Sequence, residues 1–485
     1  MVKKIDIALV TCMPDGIHAP PIGLAYLAEY LKSKKFKVKV FDTNIWAYHE
    51  SNEKEKSIWS PEHIFQMGNP EYLQKLLKRF GHLLSIYTKK IIDTKTKIIG
   101  FSVNPSNITF ATHMARLIKE KNKYAKIIFG GPYITSQYKH LHVSPKICDY
   151  YVLYEGEEST YRLVNDIQNK KTINIPGVVI NKKIIKTPAN PKPMFLDKIP
   201  YPKYKDFDIS LYKDKYISIL TSKGCINNCA FCGDYIISPY FRHKKPERIV
   251  EELSFLNNEY GIKMFHFVDL LCNGNLKKLE KMCDLIIKKD LKIEWDSYAV
   301  IRTDMSSGLF KKMKKSGCST ISFGVDSGSD NVLKLMRKKY SADEATKILT
   351  KSRKAGIITL INIITGFPGE TKKNHEETIE FLKKNKNNIQ RLSNVSTCFL
   401  MPTSSINKEH EKFGIKRINE VFWKGPHNNT HKIRNKRAYE IVNICENLGM
   451  PVEVRNINTD TEPSIYKILF NKFRGLIRII VSLCF

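Results

Sequence analysis

Three thiols crowd into eight residues of this 485-residue chain, Cys225-Ile226-Asn227-Asn228-Cys229-Ala230-Phe231-Cys232, and Gly224 and Gly233 bracket them. An apolar run, Ile217 to Leu220, leads into the loop. Thiolates this close, with no fourth cysteine or histidine at short range, suit an iron-sulfur cluster better than a closed tetrahedral zinc site. Three ligands leave one iron open to a substrate or cofactor. A zinc ribbon half-site is the competing reading.

Length and composition narrow the setting. A chain this long exceeds one ordinary core and predicts two or three domains. The net charge of +32 comes from lysines spread over every segment, without a compact basic block alternating with aromatics. Solvated lysine faces explain it better than a nucleic-acid footprint, so no nucleic acid is expected as a partner. Eight further cysteines at 12, 148, 272, 283, 318, 398, 445 and 484 show no paired rhythm, which argues for a reducing, cytoplasmic setting. Met1 to Val10 is charged and then briefly apolar, a first strand rather than a signal peptide. No stretch reaches the roughly 20 apolar residues that span a bilayer.

In chain order, Ile5 to Val10, Phe36 to Phe41, Ile98 to Val103 and Lys126 to Phe129 read as buried strands, with helical spacing in Ile22 to Leu31 and Ile108 to Lys119. Alternation of this kind predicts a doubly wound parallel sheet, with ligands beyond the carboxyl ends of its strands. Those ends are Thr11 to Pro21, Ser102 to Asn107 and Gly130 to Thr135. Prolines at 188, 191, 193, 200 and 202 mark a linker. Six further strand-helix units follow, beginning at Tyr216, Met264, Ile293, Thr320, Leu360 and Asn394. They predict a partial (β/α)6 barrel whose active face is the carboxyl end of its strands. The expected division is 1–186, a linker at 187–210, a barrel at 211–405, and a mostly helical cap with an amphipathic tail at 406–485.

The spacing of the three cysteines, with Phe231 before the last, resembles the signature of the radical S-adenosylmethionine (SAM) superfamily. Phe323-Gly324-Val325-Asp326-Ser327-Gly328-Ser329-Asp330 and Gly366-Phe367-Pro368-Gly369-Glu370-Thr371 resemble the fourth- and fifth-strand elements of its cobalamin-type class, with Asp326 where Glu is usual. The N-terminal portion is similar to the cobalamin-binding domain of that class in Pro20 to Ala28, Ser102, Gly130-Gly131 and Glu155-Gly156-Glu157.

That resemblance implies a [4Fe-4S] cluster on Cys225, Cys229 and Cys232, and SAM on its open iron. Phe231 would lie against adenine; Asp269, Arg302, Asp326 and Ser327 would meet the amino acid end or ribose; Ile364, Gly366 and Glu370 would border the adenine. Ser102, Gly130, Gly131 and Pro132 would line a cobalamin site. The cobalt-ligating Asp-x-His-x-x-Gly motif is absent, and His18 in Asp15 to Pro21 reads as a loop residue. The sixth-strand Pro-Gly-Thr-Pro is replaced by Met401 to Ser405.

The activity so implied is reductive cleavage of SAM to a 5′-deoxyadenosyl radical, hydrogen abstraction from an unactivated carbon, and methyl donation from cobalamin. The protein positions and excludes water while the cofactors break bonds. A flavodoxin or ferredoxin would be the reductant, and the substrate a small or lipid-like molecule. No general acid or base is identified. Cyclisation, rearrangement or oxidation without methyl transfer is a second reading. Methylthiolation of tRNA is disfavoured, because only Cys12 and Cys148 lie in the N-terminal portion, too few for a second cluster. A non-catalytic metal-binding nucleic-acid module is the reading from another class. The apolar stretch 465–485, interleaved with Lys467, Lys472, Arg474 and Arg478, could lie in an acidic lipid surface or pack on the protein.

Overall fold

A computed structural model describes residues 5–60, 69–141, 143–181, 192–234, 238–417, 419–453 and 455–457. The stretch 465–485 lies outside these. They fall into two compact units, one built from residues up to Lys215, the other beginning at Tyr216.

The first unit is a six-stranded sheet in the order β2-β1-β3-β4-β5-β6, from β1 Ile7–Thr11, β2 Val38–Asp42, β3 Ile98–Ser102, β4 Lys126–Gly130, β5 Tyr150–Val152 and β6 Val178–Ile180. All pairings are parallel except β5 with β6. Every residue of β1 is buried. That continuous burial, rather than alternation, is what a parallel strand covered on both faces requires. Beyond the expected helices Ile22–Ser33 and Ile108–Lys121, a long helix, Pro70–Ile92, links β2 to β3. Asn69 starts it by accepting from the Glu71 and Tyr72 amides, and Pro70 sits where no amide is needed. Phe80, Leu84, Tyr87 and Ile91 bury its inner face in one apolar cluster with Phe101, Phe110 and Phe129. Residues after 192 carry short 3-10 turns, with Leu196, Tyr204 and Tyr212 buried.

The second unit is a seven-stranded parallel sheet in the order β17-β14-β13-β12-β11-β10-β7. Its first strand is β7 Tyr216–Ile219, followed by the small hairpin of β8 Ser222–Lys223 and β9 Arg242–His243. Then come β10 Met264–Phe267, β11 Glu294–Ala299, β12 Cys318–Asp326, β13 Ile358–Thr365 and β14 Arg391–Thr397. A second hairpin, β15 Lys416–Arg417 with β16 Trp423–Lys424, leads to the C-terminal helix His431–Asn447, and β17 Arg455–Asn456 closes the list. The sheet therefore extends past the six strands read from sequence: β17 pairs parallel with β14. The region after 405 is helical but also supplies a hairpin and this edge strand. Helix starts follow local chemistry, as in the capping boxes Ser341 with Glu344 and Thr371 with Asn374.

Candidate functional site

The cysteine loop leaves β8 through Gly224, whose φ is +81°. A Cβ there would sit 2.4 Å from the Tyr240 carbonyl oxygen, so only glycine allows the turn. Cys225, Cys229 and Cys232 follow as free, half-buried thiols. The Asn227 amide donates to Cys225 Sγ (3.4 Å), and the Cys232 amide to the Cys229 carbonyl (3.1 Å). Ala230 fixes the middle of the loop: its amide donates to the Met336 carbonyl (3.1 Å) and its carbonyl accepts from the Ile406 amide (3.0 Å). Burial pushes Cys232 up to about 12 and raises Cys229 as well. As thiolates they need a positive centre to hold them.

Among the described residues no three Cys, His, Asp or Glu side chains converge to chelate a single ion. Three thiols are one ligand short of a closed tetrahedral zinc site, whereas a cluster, whose irons are separate corners, takes one thiolate at each of three and leaves the fourth open. The donor set, three cysteines with one corner left over, fits an iron-sulfur cluster.

Phe231 and Ile364 pack against one apolar cluster that includes Ala230, Val332, Met336, Phe367 and Trp423. The Lys338 ammonium lies 5.5 Å from the centre of the Phe231 ring. Asp326, at φ +68° where β12 bulges, is buried and ion-paired to Lys338. Lys338 Nζ also donates to the Gly324 carbonyl (3.2 Å), and Tyr340 Oη to the Val325 carbonyl (2.8 Å). Beside them Ser327 Oγ accepts from the Ser329 amide (3.1 Å) and shares a hydrogen bond with Thr378 (3.2 Å).

Asp269 and Arg302 serve the chain first. Asp269 is buried at the end of β10 and accepts from the Thr221 amide (2.8 Å), the Thr221 hydroxyl and Ser222 Oγ (2.9 Å). Burial pushes it up to about 6 against those donors. It thereby anchors the residues just ahead of the cysteine loop. Arg302 donates through Nε and Nη2 to Asp304 (2.9 and 2.6 Å) and through Nη1 to the Asn273 and Gly274 carbonyls (both 3.0 Å). Of its five N–H groups these bonds occupy four. These four bonds go to Asp304, Asn273 and Gly274, away from Asp269, Asp326 and Ser327.

Glu370 is buried as well. Its Oε2 accepts from the Gly366 amide (3.0 Å) and its Oε1 from Arg437 Nη1 (2.7 Å). Burial pushes it up to about 7 although Arg437 pulls the other way. Asn429, Arg434 and Arg437, which hold this turn from the C-terminal region, carry no periodicity or motif in the sequence.

In the first unit, Ser102 ends β3 half-buried and Gly130 ends β4 beside it in register. Gly131, at φ +119°, has Val103 pressed against it: a Cβ would lie 2.7 Å from the Val103 carbonyl oxygen. The chain itself demands this glycine. Pro132 is exposed and begins the helix Pro132–Gln137. Asn107 ties the ends of β1 and β3 by donating to the Cys12 (3.3 Å) and Ser102 (3.2 Å) carbonyls. Asp15, after β1, accepts from Thr11 Oγ1 (3.0 Å), and burial raises its pKa. His18 is half-exposed and pairs with Asp214 (2.9 Å).

The three-cysteine loop lies at the start of a seven-stranded parallel sheet, and residues 219–382 match the radical SAM superfamily. The chain carries a radical SAM domain. It is 28% identical over 376 residues to an uncharacterized methyltransferase of Pyrococcus horikoshii, covering 76% of this chain and 74% of that one. An anaerobic magnesium-protoporphyrin IX monomethyl ester cyclase of Rubrivivax gelatinosus is 24% identical, over 69% of this chain and 64% of the cyclase. Among solved structures, the radical SAM methyltransferase TsrM of Kitasatospora setae, with cobalamin and a [4Fe-4S] cluster bound, superposes with a TM-score of 0.65 at 16% identity, covering 86% and 82%. The cobalamin-dependent SAM radical enzyme OxsB, with aqua-cobalamin bound, gives 0.68 at 16%, covering 98% and 72%. These two likenesses show the shared fold. Among the described residues no helix is long and apolar enough to cross a membrane.

Proposed function

We propose that this enzyme methylates an unactivated carbon of a small molecule. When bound, the cluster and SAM supply a 5′-deoxyadenosyl radical and cobalamin carries the methyl group. The observation that carries the reading is the pairing, in one chain, of the glycine-turned cysteine loop with a parallel-sheet unit that precedes it in sequence, in a fold shared with two cobalamin-bound structures. Cys225, Cys229 and Cys232 would hold the cluster. Phe231 and Ile364 offer half-buried apolar surface for adenine beside the Gly366 turn, and the Asp326 and Ser327 segment offers acceptors to ribose or the amino group. Asp269 acts by anchoring Thr221 and Ser222, and Arg302 keeps one N–H for a carboxylate. For cobalamin, the Ser102 to Asn107 and Gly130 to Pro132 loops offer backbone groups and small side chains at the carboxyl edge of the sheet. A one-electron donor of the flavodoxin or ferredoxin type would reduce the cluster.

The likeness to a cyclase favours a second reading, radical ring closure or oxidation without methyl transfer. Anaerobically reconstituted enzyme incubated with labelled SAM and dithionite separates the two once substrate turns over. Methylation yields S-adenosylhomocysteine together with 5′-deoxyadenosine, and ring closure yields only the latter. A corrin absorption spectrum retained after gel filtration supports the first; its absence removes cobalamin from the scheme. Replacing Cys225, Cys229 and Cys232 with Ala is expected to abolish iron binding and 5′-deoxyadenosine formation, and persistence of both would refute the assignment.

A further inference from the structure

The turn between β13 and the helix Lys372–Lys384 is gripped from behind by residues that lie outside the superfamily match. Its backbone is unusual, with positive φ at Gly366 (+71°) and Gly369 (+91°). Asn429, fully buried, donates from Nδ2 to the Gly366 (2.9 Å) and Phe367 (3.2 Å) carbonyls. Arg437 Nη1 donates to Glu370 Oε1 (2.7 Å) and to the Glu370 carbonyl (3.3 Å), and Glu370 Oε2 returns to the Gly366 amide. Thr365 Oγ1 donates to the Arg434 carbonyl (3.2 Å).

Arg434 itself is 0% exposed. Its guanidinium lies 3.7 Å from the centre of the Trp423 ring and donates to the Trp423 (3.1 Å), Asn429 (3.2 Å) and Val421 (2.9 Å) carbonyls. The charge is shared among carbonyls and a ring, and burial pulls its pKa down to about 10. Such a group is costly to bury. What it supplies is shape: its stem fills the space behind Gly366, where a Cβ would lie 2.1 Å from Arg434 Cγ. Phe231 and Ile364, packed on the same apolar cluster as Phe367 of the turn, are only half-buried.

We infer that residues 429–437 are a brace that sets the Gly366–Glu370 turn for the adenosyl half of SAM, with Asn429, Arg434 and Arg437 as positioning residues. The inference rests on the assignment of this turn to SAM. The brace fixes peptide orientation at three carbonyls and, through Glu370, at one amide, and it needs no contact with the ligand.

The test is equilibrium dialysis of labelled SAM, and separately of 5′-deoxyadenosine, against full-length reconstituted enzyme of measured iron content. Asn429→Ala and Arg437→Gln are each expected to weaken both ligands about tenfold at unchanged iron per chain, as loss of a buried hydrogen bond to a charged or polar group implies. Arg437→Lys, which keeps a donor and the charge, should recover most of the loss. Should Asn429→Ala fail to fold, the Arg437 pair decides alone. A lowered melting temperature with both affinities within twofold of the parent overturns the brace. So does weakened SAM binding with 5′-deoxyadenosine unaffected. A parent enzyme that binds iron but neither ligand refutes the SAM assignment instead, which distinguishes the two failures.

Discussion

Buried acids at the strand ends are satisfied differently in the two units. In the first, Asp42 accepts from the Ile45 amide and from Tyr212 Oη (2.5 Å), and Asp15 accepts from Thr11. Neutral donors hold them. In the second, Asp269 is likewise held by neutral donors, but Asp326 meets Lys338 and Glu370 meets Arg437, each pair nearly closed off from solvent. Neutral donors leave a buried carboxyl free to take a proton, whereas a buried cation favours its charged form, although burial still pushes Glu370 up to about 7. The first arrangement suits a scaffold. The second places an ion pair, Asp326 with Lys338, beside Phe231 of the cysteine loop.

The sharpest way to break this comparison is to remove one partner of a pair. Lys338→Met strands Asp326 in the interior and is expected to destabilise the barrel unit by about 3–5 kcal/mol in urea unfolding. Adding Asp326→Asn should recover most of that. If the double variant is no better than the single one, the pair is not the reason. A smaller effect separates neutral-donor sites by pH. Burial pushes Asp42 and Asp269 up to about 6 from 3.8, so between those values the folded state holds protons that the unfolded chain has released. Stability should therefore fall as pH rises through that window, by at most about 3 kcal/mol per group, and level off above it. Asp42→Asn should flatten the first unit's profile and Asp269→Asn the second's, read by urea unfolding at pH 4, 5, 6 and 7. A profile unchanged by either substitution would contradict the assigned shift. The smallest expected effect is at His18, half-exposed against Asp214. His18→Ala should change stability by no more than about 0.5 kcal/mol. It should also leave any bound corrin spectrum unshifted; a shifted spectrum would make His18 a ligand after all.

The parallel strands could be read from sequence because burial on both faces leaves continuous apolar runs, as in Ile7 to Val10, and the cysteine loop because its ligands are local. The edges were harder. β17 is two residues long, and β6 turns back antiparallel without a pattern of its own. The helix Pro70–Ile92 carried an Asn69-Pro70 start that the strand count passed over. The site was legible where chemistry sits in one segment and opaque where it joins distant ones. Glu370 was visible in a motif, but Arg437 stands 67 residues away in sequence and nothing in periodicity links them. Gly131 was noticed for a ligand's sake, while its contact with Val103 shows a need internal to the chain.

The C-terminal helix has a consequence for recombining this enzyme with others. A cassette cut to residues 219–382, the span that similarity delimits, would carry Glu370 into a new host without Arg437 and the Gly366 turn without Asn429. The transplantable module begins at Tyr216 and runs through β17, and chimeras joined at those seams should retain a turn that shorter grafts lose.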